Sequence, residues 1–203
     1  MNTLTTTAKK LDKVFEIAHI VFGALAIASL VGVALIAIAY IFKLSPDMIG
    51  NGYTSFEIGF LKLEIVEAFA PDRWLVLGHI AFTLLVACRL FYDSRRGIGY
   101  IREILQPMKE GQPFASVVSI NLKRLAKLSI VIGILVNVII LAEQIIVVFL
   151  YDLPGLLISE KIIHVGSMFN IDLSFLIYWA ILSLLSYVFR YGEELQQLSD
   201  ETL

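Results

Sequence analysis

The sequence predicts an all-α integral membrane protein with four transmembrane helices, a cytoplasmic amphipathic helix and a small extracytoplasmic β cap. Of its 203 residues, 58% are hydrophobic and only 17% are charged, which is too apolar for an ordinary soluble domain. Four segments are also long enough to span a bilayer, which takes about 20 mostly apolar residues. We expect a single four-span membrane domain over residues 1–203.

Four apolar segments are the predicted spans, and aromatic residues suited to the membrane interface stand at several of their ends. The spans cover residues of about 17–42, 74–92, 128–151 and 171–191. The first span follows several lysines, as the apolar region of a signal peptide would, but it is longer than such a region. We therefore expect it to be retained as a helix.

Lysine and arginine residues are distributed unequally between the two sides of this arrangement. The amino-terminal residues, the loop 93–127 and the tail 192–203 lie on one side, and the loops 43–73 and 152–170 lie on the other. Twelve cationic residues belong to the first side, with Arg89 at its edge: Lys9, Lys10, Lys13, Arg89, Arg95, Arg96, Arg102, Lys109, Lys123, Arg124, Lys127 and Arg190. Four belong to the second side: Lys43, Lys62, Arg73 and Lys161. The positive-inside rule therefore predicts that both termini are cytoplasmic.

Both outer loops contain short strand patterns. The dipeptide Asn51-Gly52 favours a turn, and the following residues 53–65 alternate large apolar with smaller or polar side chains, which indicates one or two strands. Residues 157–165 form a second strand candidate between a Pro-Gly pair and a glycine. These patterns predict the small extracytoplasmic sheet.

The inner loop contains an amphipathic pattern. Apolar residues recur at helical spacing over 98–108, and polar residues occupy the opposite face, as in a helix that lies along a membrane surface. Pro107 and Gly111 are expected to end this helix. Residues from about 116 then continue helically into the third span.

Composition and motifs argue against several function classes. The formal net charge of −2 offers no basic surplus for direct binding of nucleic acid. The single cysteine, Cys88, forms no disulfide framework within one chain. His19 and His79 lie near opposite ends of their spans, which excludes a haem bound by both. No nucleotide-binding, metalloprotease or hydrolase motif is present, so we expect a protein that is not an enzyme and has no cofactor and no metal.

Four polar residues within the spans are candidate site residues, because polar groups in hydrocarbon are unfavourable and are often functional. His79 and Glu143 lie at similar depths below the outer edge and are predicted to meet. Asn137 and Gln144 are expected to extend their hydrogen bonding. Such a cluster is either a proton or cation relay or an interhelical contact that fixes packing. Arg89, by contrast, is expected to reach the inner interface by snorkelling.

Local motifs near the predicted inner surface resemble the YoaS-like bacterial inner-membrane protein family, which is defined as a domain of unknown function. They comprise residues 108–114 (MKEGQPF), Asn121, Leu125, residues 189–196 (FRYGEELQ) and residues 200–203 (DETL). The resemblance implies a bacterial inner-membrane protein, often encoded beside a small helix-turn-helix regulator. It implies no catalytic residues.

Two functions are consistent with these features. The first is a non-enzymatic sensor or regulatory protein that couples the outer cap to a cytoplasmic partner, such as a small helix-turn-helix regulator. Its candidate docking residues are Pro113, Phe114, Glu193, Glu194, Leu195 and Leu198. The alternative is a small transporter or an ion- or proton-conducting protein that uses His79 and Glu143. Four spans are few for one pathway, so the alternative requires a homo-oligomer.

Overall fold

A computed structural model describes residues 2–44, 55–58, 61–64, 72–150, 152, 155 and 171–201. Four long helices dominate them: α1 Asn2–Ile41, α2 Arg73–Lys109, α3 Ser116–Leu150 and α4 Ser174–Glu201. All four are long and apolar enough to cross a membrane. In the most apolar stretch of each helix, at most 17% of the residues are buried within the chain. Their outer faces therefore suit contact with lipid, and the chain is a multi-pass membrane protein.

Two strands form a hairpin between α1 and α2. Strand β1, Ser55–Ile58, pairs antiparallel with strand β2, Leu61–Glu64, so that Ser55 lies opposite Glu64 and Ile58 opposite Leu61. The hairpin falls in the segment 53–65, where the alternation predicted one or two strands. The second strand candidate, 157–165, lies outside the described residues.

The helix ends are fixed by local hydrogen bonds. Asp72 Oδ1 accepts from the backbone N–H groups of Trp74 at 2.7 Å and Leu75 at 3.3 Å, and so caps the start of α2. After α2, the N–H of Gln112 donates to the carbonyl of Pro107 and that of Gly111 to Met108. Gly111 has a φ of 80°, which completes a Schellman ending.

The chain divides into two compact units. Unit 1 comprises Met1–Ile27, Arg89–Asn137 and Ile171–Leu203, and unit 2 comprises Ala28–Cys88 and Val138–Asn170. Helices α1, α2 and α3 contribute residues to both units, whereas α4 belongs to unit 1. The single four-span domain over 1–203 stays a prediction.

The predicted amphipathic surface helix over residues 98–108 is instead part of the core of unit 1. These residues do not form a separate surface helix but the last part of α2, which passes through Pro107 and ends at Lys109. Ile104 is buried against Val118 and Leu122 of α3, with Leu182 and other partly buried apolar residues packed around them. Amphipathic periodicity is common to helices that lie on lipid and helices that pack on protein, and here the apolar stripe faces protein.

Candidate functional site

Three polar side chains of unit 2 form what we call the polar cluster: His79 and Thr83 on α2 and Glu143 on α3. His79 Nε2 lies 2.5 Å from Glu143 Oε2. The Thr83 hydroxyl lies 2.6 Å from Glu143 Oε1 and donates to it. Both carboxylate oxygens therefore have a partner, and the predicted meeting of His79 and Glu143 occurs.

The spacing of these residues explains the geometry. His79 and Thr83 are four residues apart, so they lie on the same face of α2, one turn from each other. Together they present a ring nitrogen and a hydroxyl to one carboxylate on the neighbouring helix. The side chains of His79 and Glu143 are 17% and 27% exposed, so the contact is shielded from most of its surroundings.

The polar cluster is suited to holding one proton between two groups. The histidine ring can donate from Nε2 to an ionised Glu143, or accept a proton from a protonated one. The Thr83 hydroxyl has one proton, which it can donate either to Glu143 Oε1 or, at 3.1 Å, to the backbone carbonyl of His79. The arrangement is thus chemically able either to exchange a proton or simply to pin α2 to α3.

The structure does not bring Asn137 or Gln144 into the polar cluster, contrary to the prediction. Asn137 lies in unit 1 and bonds to other partners. Gln144 Oε1 is buried and has no hydrogen-bond partner among the described residues. The helical repeat explains both outcomes, because each residue turns the side chain by about 100°, and neither position shares the face of Glu143.

Asn137 instead forms two hydrogen bonds with the backbone just before α4. Its Oδ1 accepts from the backbone N–H of Asp172 and its Nδ2 donates to the carbonyl of Asp172, both at 2.8 Å. The ring of Phe175 then packs on Gly133, one turn earlier on α3. No sequence pattern predicts this contact, because the partner of Asn137 is the backbone of Asp172 rather than a side chain.

Asp172 also caps α4. Its Oδ1 accepts hydrogen bonds from both the hydroxyl and the backbone N–H of Ser174. An aspartate one or two residues before the start of a helix is a recognisable capping signal, and it occurs at Asp72 before α2 as well as at Asp172 before α4.

The predicted docking residues lie at the other end of α4. The helix continues to Glu201 as what we call the tail helix, residues 192–201. Leu195 and Leu198 are 49% and 59% exposed, so these leucines are not buried under the rest of unit 1. Phe114 contacts the ring of Phe189 with centroids 5.8 Å apart, which joins the turn after α2 to α4.

A groove lies beside the tail helix. It encloses about 330 Å³ and is lined on one side by Gln112, Phe114 and Ser116 and on the other by Glu193 and Gln196. Glu194 is exposed on the tail helix and lies 3.4 Å from Arg190. Pro113 stands between two of the lining residues. The turn and the tail helix, named separately from the sequence, therefore form one surface.

Comparison with known proteins yields no relative. No protein-family model, no curated protein and no solved structure matches the chain. The resemblance to the YoaS-like family therefore stays a prediction.

Proposed function

We propose that the chain is a non-enzymatic regulatory protein of a bacterial inner membrane that holds a cytoplasmic partner on its tail helix. One observation carries the proposal: α4 continues to Glu201 with Leu195 and Leu198 exposed beside acidic side chains. Exposed leucines three residues apart on a helix are typical anchors for a groove in another protein. The hairpin of β1 and β2 is the proposed outer cap that senses a stimulus.

The distribution of cationic residues supports a cytoplasmic location of the tail helix. Ten lysines and arginines lie in the amino-terminal residues and the loop 93–127, and Arg89 and Arg190 lie at the adjoining ends of the second and fourth spans, against four in the remaining loops. By the positive-inside rule, this bias favours cytoplasmic termini. The tail helix then faces the cytoplasm, where a soluble regulator can reach it.

Charge indicates the kind of partner. Glu193 borders the groove, and Glu194 and Glu201 are exposed on the same helix. A small, basic helix-turn-helix regulator would be complementary to this surface, and its binding here would compete with DNA. The resemblance to the YoaS-like family favours the same kind of partner.

Deletion of residues 193–203 tests the proposal. The truncated chain should insert and fold normally, release its cytoplasmic partner and alter transcription of genes that the partner controls. The sharper variant is L195D/L198D, which keeps the chain length, and its matched control is L11D, because Leu11 is an exposed leucine of unit 1 remote in sequence from the tail. If pull-downs recover the same cytoplasmic proteins from the parent, the deletion and L195D/L198D, the docking proposal is wrong.

The polar cluster supports a second candidate function, conduction of protons or cations by an oligomer. His79, Thr83 and Glu143 are linked in a row within two apolar helices, which is where relays occur in membrane transporters. Proteoliposomes that contain the parent chain should then show a flux that H79A and E143Q abolish. If there is no flux, or if H79A and E143Q do not change it, the polar cluster is a packing contact.

A further inference from the structure

A cationic cavity lies between α2 and α3 in unit 1. It has a volume of about 320 Å³, and four cationic side chains line it, Arg89 and Arg96 from α2 and Arg124 and Lys127 from α3. One acidic residue, Asp93, also lines it. The cavity thus carries a net charge of about +3 at neutral pH, which favours an anionic ligand.

Asp93 forms ion pairs with the two arginines of α2, and one of its carboxylate oxygens can still accept a hydrogen bond. The residue is wholly buried, and its Oδ2 accepts from Arg89 Nε at 2.7 Å. Its Oδ1 lies 3.8 Å from Arg96 but accepts no hydrogen bond from any residue in the described ranges. A buried oxygen without a donor is unfavourable, so a ligand hydroxyl would be favoured there. Arg89 thus forms an ion pair that the sequence did not predict, and its snorkelling stays a prediction.

The two cations of α3 remain open to a ligand. The Arg124 side chain is 54% exposed and lies 3.9 Å from Glu103, and its guanidinium stacks over the ring of Tyr100 at 5.8 Å. Lys127 is exposed and forms no ion pair within the described part of the chain. Lys127 can therefore turn toward a phosphate without loss of an ion pair. Arg124 also donates to Asn121 Oδ1 at 3.0 Å, and its remaining N–H groups can donate to a phosphate.

The position of the cavity identifies the source of the phosphate. Asp93 and Lys127 are the residues that adjoin the predicted second and third spans, at the depth of lipid headgroups. Val131, farther into the third span, also lines the cavity and is 46% exposed, so an acyl chain can lie against it. Basic pockets between transmembrane helices are known sites for anionic headgroups.

We propose that this cavity binds the headgroup of phosphatidylglycerol. Its phosphate lies on Arg124 and Lys127, and a hydroxyl of its terminal glycerol donates to Asp93 Oδ1. Phosphatidylglycerol offers both the negative charge and the donor, whereas phosphatidylcholine carries a cationic group with no donor. The lipid would hold α2 against α3 at the membrane surface.

Native mass spectrometry of the detergent-solubilised full chain tests the proposal, with binding of phosphatidylglycerol measured against its concentration. R124Q/K127Q should bind about 30-fold more weakly and K127Q about 5-fold, from the usual contribution of each cation near an anionic headgroup. K127Q removes no ion pair within the described chain, so its folding is not at risk. The matched control is K9Q/K10Q, which removes two exposed cations that do not line the cavity and should bind as the parent does.

Three outcomes would overturn the proposal. Equal weakening in K9Q/K10Q and R124Q/K127Q would mean general charge attraction rather than a site. If phosphatidylcholine bound as tightly as phosphatidylglycerol, the net negative charge of the headgroup would not be what the cavity recognises. If inorganic phosphate bound as tightly as the lipid, the cavity would be a site for a free anion rather than for a lipid headgroup.

Discussion

His79 Nε2 on α2 lies 2.5 Å from Glu143 Oε2 on α3, in helices that are otherwise strongly apolar there. Interhelical polar contacts in membranes contribute about 0.6 kcal/mol on average and up to about 1.7. We expect a double-mutant cycle of H79A and E143A to show coupling in this range, measured by unfolding in mixed micelles.

The matched control for this cycle pairs H79A with Q144A. Gln144 Oε1 has no partner in the described residues, and Gln144 turns away from the face of Glu143. Its substitution should therefore be additive with H79A. Equal coupling in both cycles would mean that His79 acts through the general packing of α2 on α3 rather than through the carboxylate.

Gly133 and Gly78 provide a second matched pair. A Cβ on Gly133 would overlap the Cβ and Cγ of Phe175, whereas a Cβ on Gly78 would meet nothing within 4 Å. G133A should destabilise unit 1 by about 1–3 kcal/mol, because α4 must shift. G78A should be neutral or stabilise by up to about 1 kcal/mol, because alanine favours helix. Thermal unfolding in detergent measures both, and similar losses from the two variants would contradict the close approach at Phe175.

Asp12 ties the start of α1 to the end of α2. Its two oxygens lie 2.6 Å from Lys109 Nζ and 3.1 Å from Arg102 Nε. D12N should lower the free energy of unfolding by about 1–3 kcal/mol, because hydrogen bonds to charged groups are the stronger ones. Limited proteolysis near residue 12 should accelerate accordingly.

Glu16 is the control for Asp12. It lies 3.7 Å from Arg102, and its side chain is 54% exposed, so E16Q should change stability by less than about 1 kcal/mol. Losses of the same size in D12N and E16Q would indicate that overall charge, not the specific contacts of Asp12, holds α1 in place.

The features that could be predicted from the sequence, the four helices and the contact of His79 with Glu143, are those that strong physical constraints require. Four apolar stretches must become helices in lipid, and His79 and Glu143 must find partners because hydrocarbon offers no water. Residues 98–108 were misassigned because helical periodicity marks an apolar face but not what covers it. Asn137 was given the wrong partner because backbone groups, such as those of Asp172, leave no side-chain signal. The Arg89–Asp93 pair, in which Asp93 is buried and Arg89 is half-exposed, is visible in the sequence as an i,i+4 spacing but was not predicted.

The last prediction concerns orientation, on which the docking proposal depends. In a C88S background, a cysteine at Ser55, where β1 begins, should react with an impermeant maleimide on intact cells. A cysteine at Ser199, which is exposed on the tail helix, should react only after permeabilisation, which also serves as the accessibility control. The physical reason is the excess of lysine and arginine in the amino-terminal residues and the loop 93–127, which lie on the same side of the membrane as the tail. Labelling at Ser199 but not at Ser55 on intact cells would place the tail helix outside and remove it from any cytoplasmic regulator.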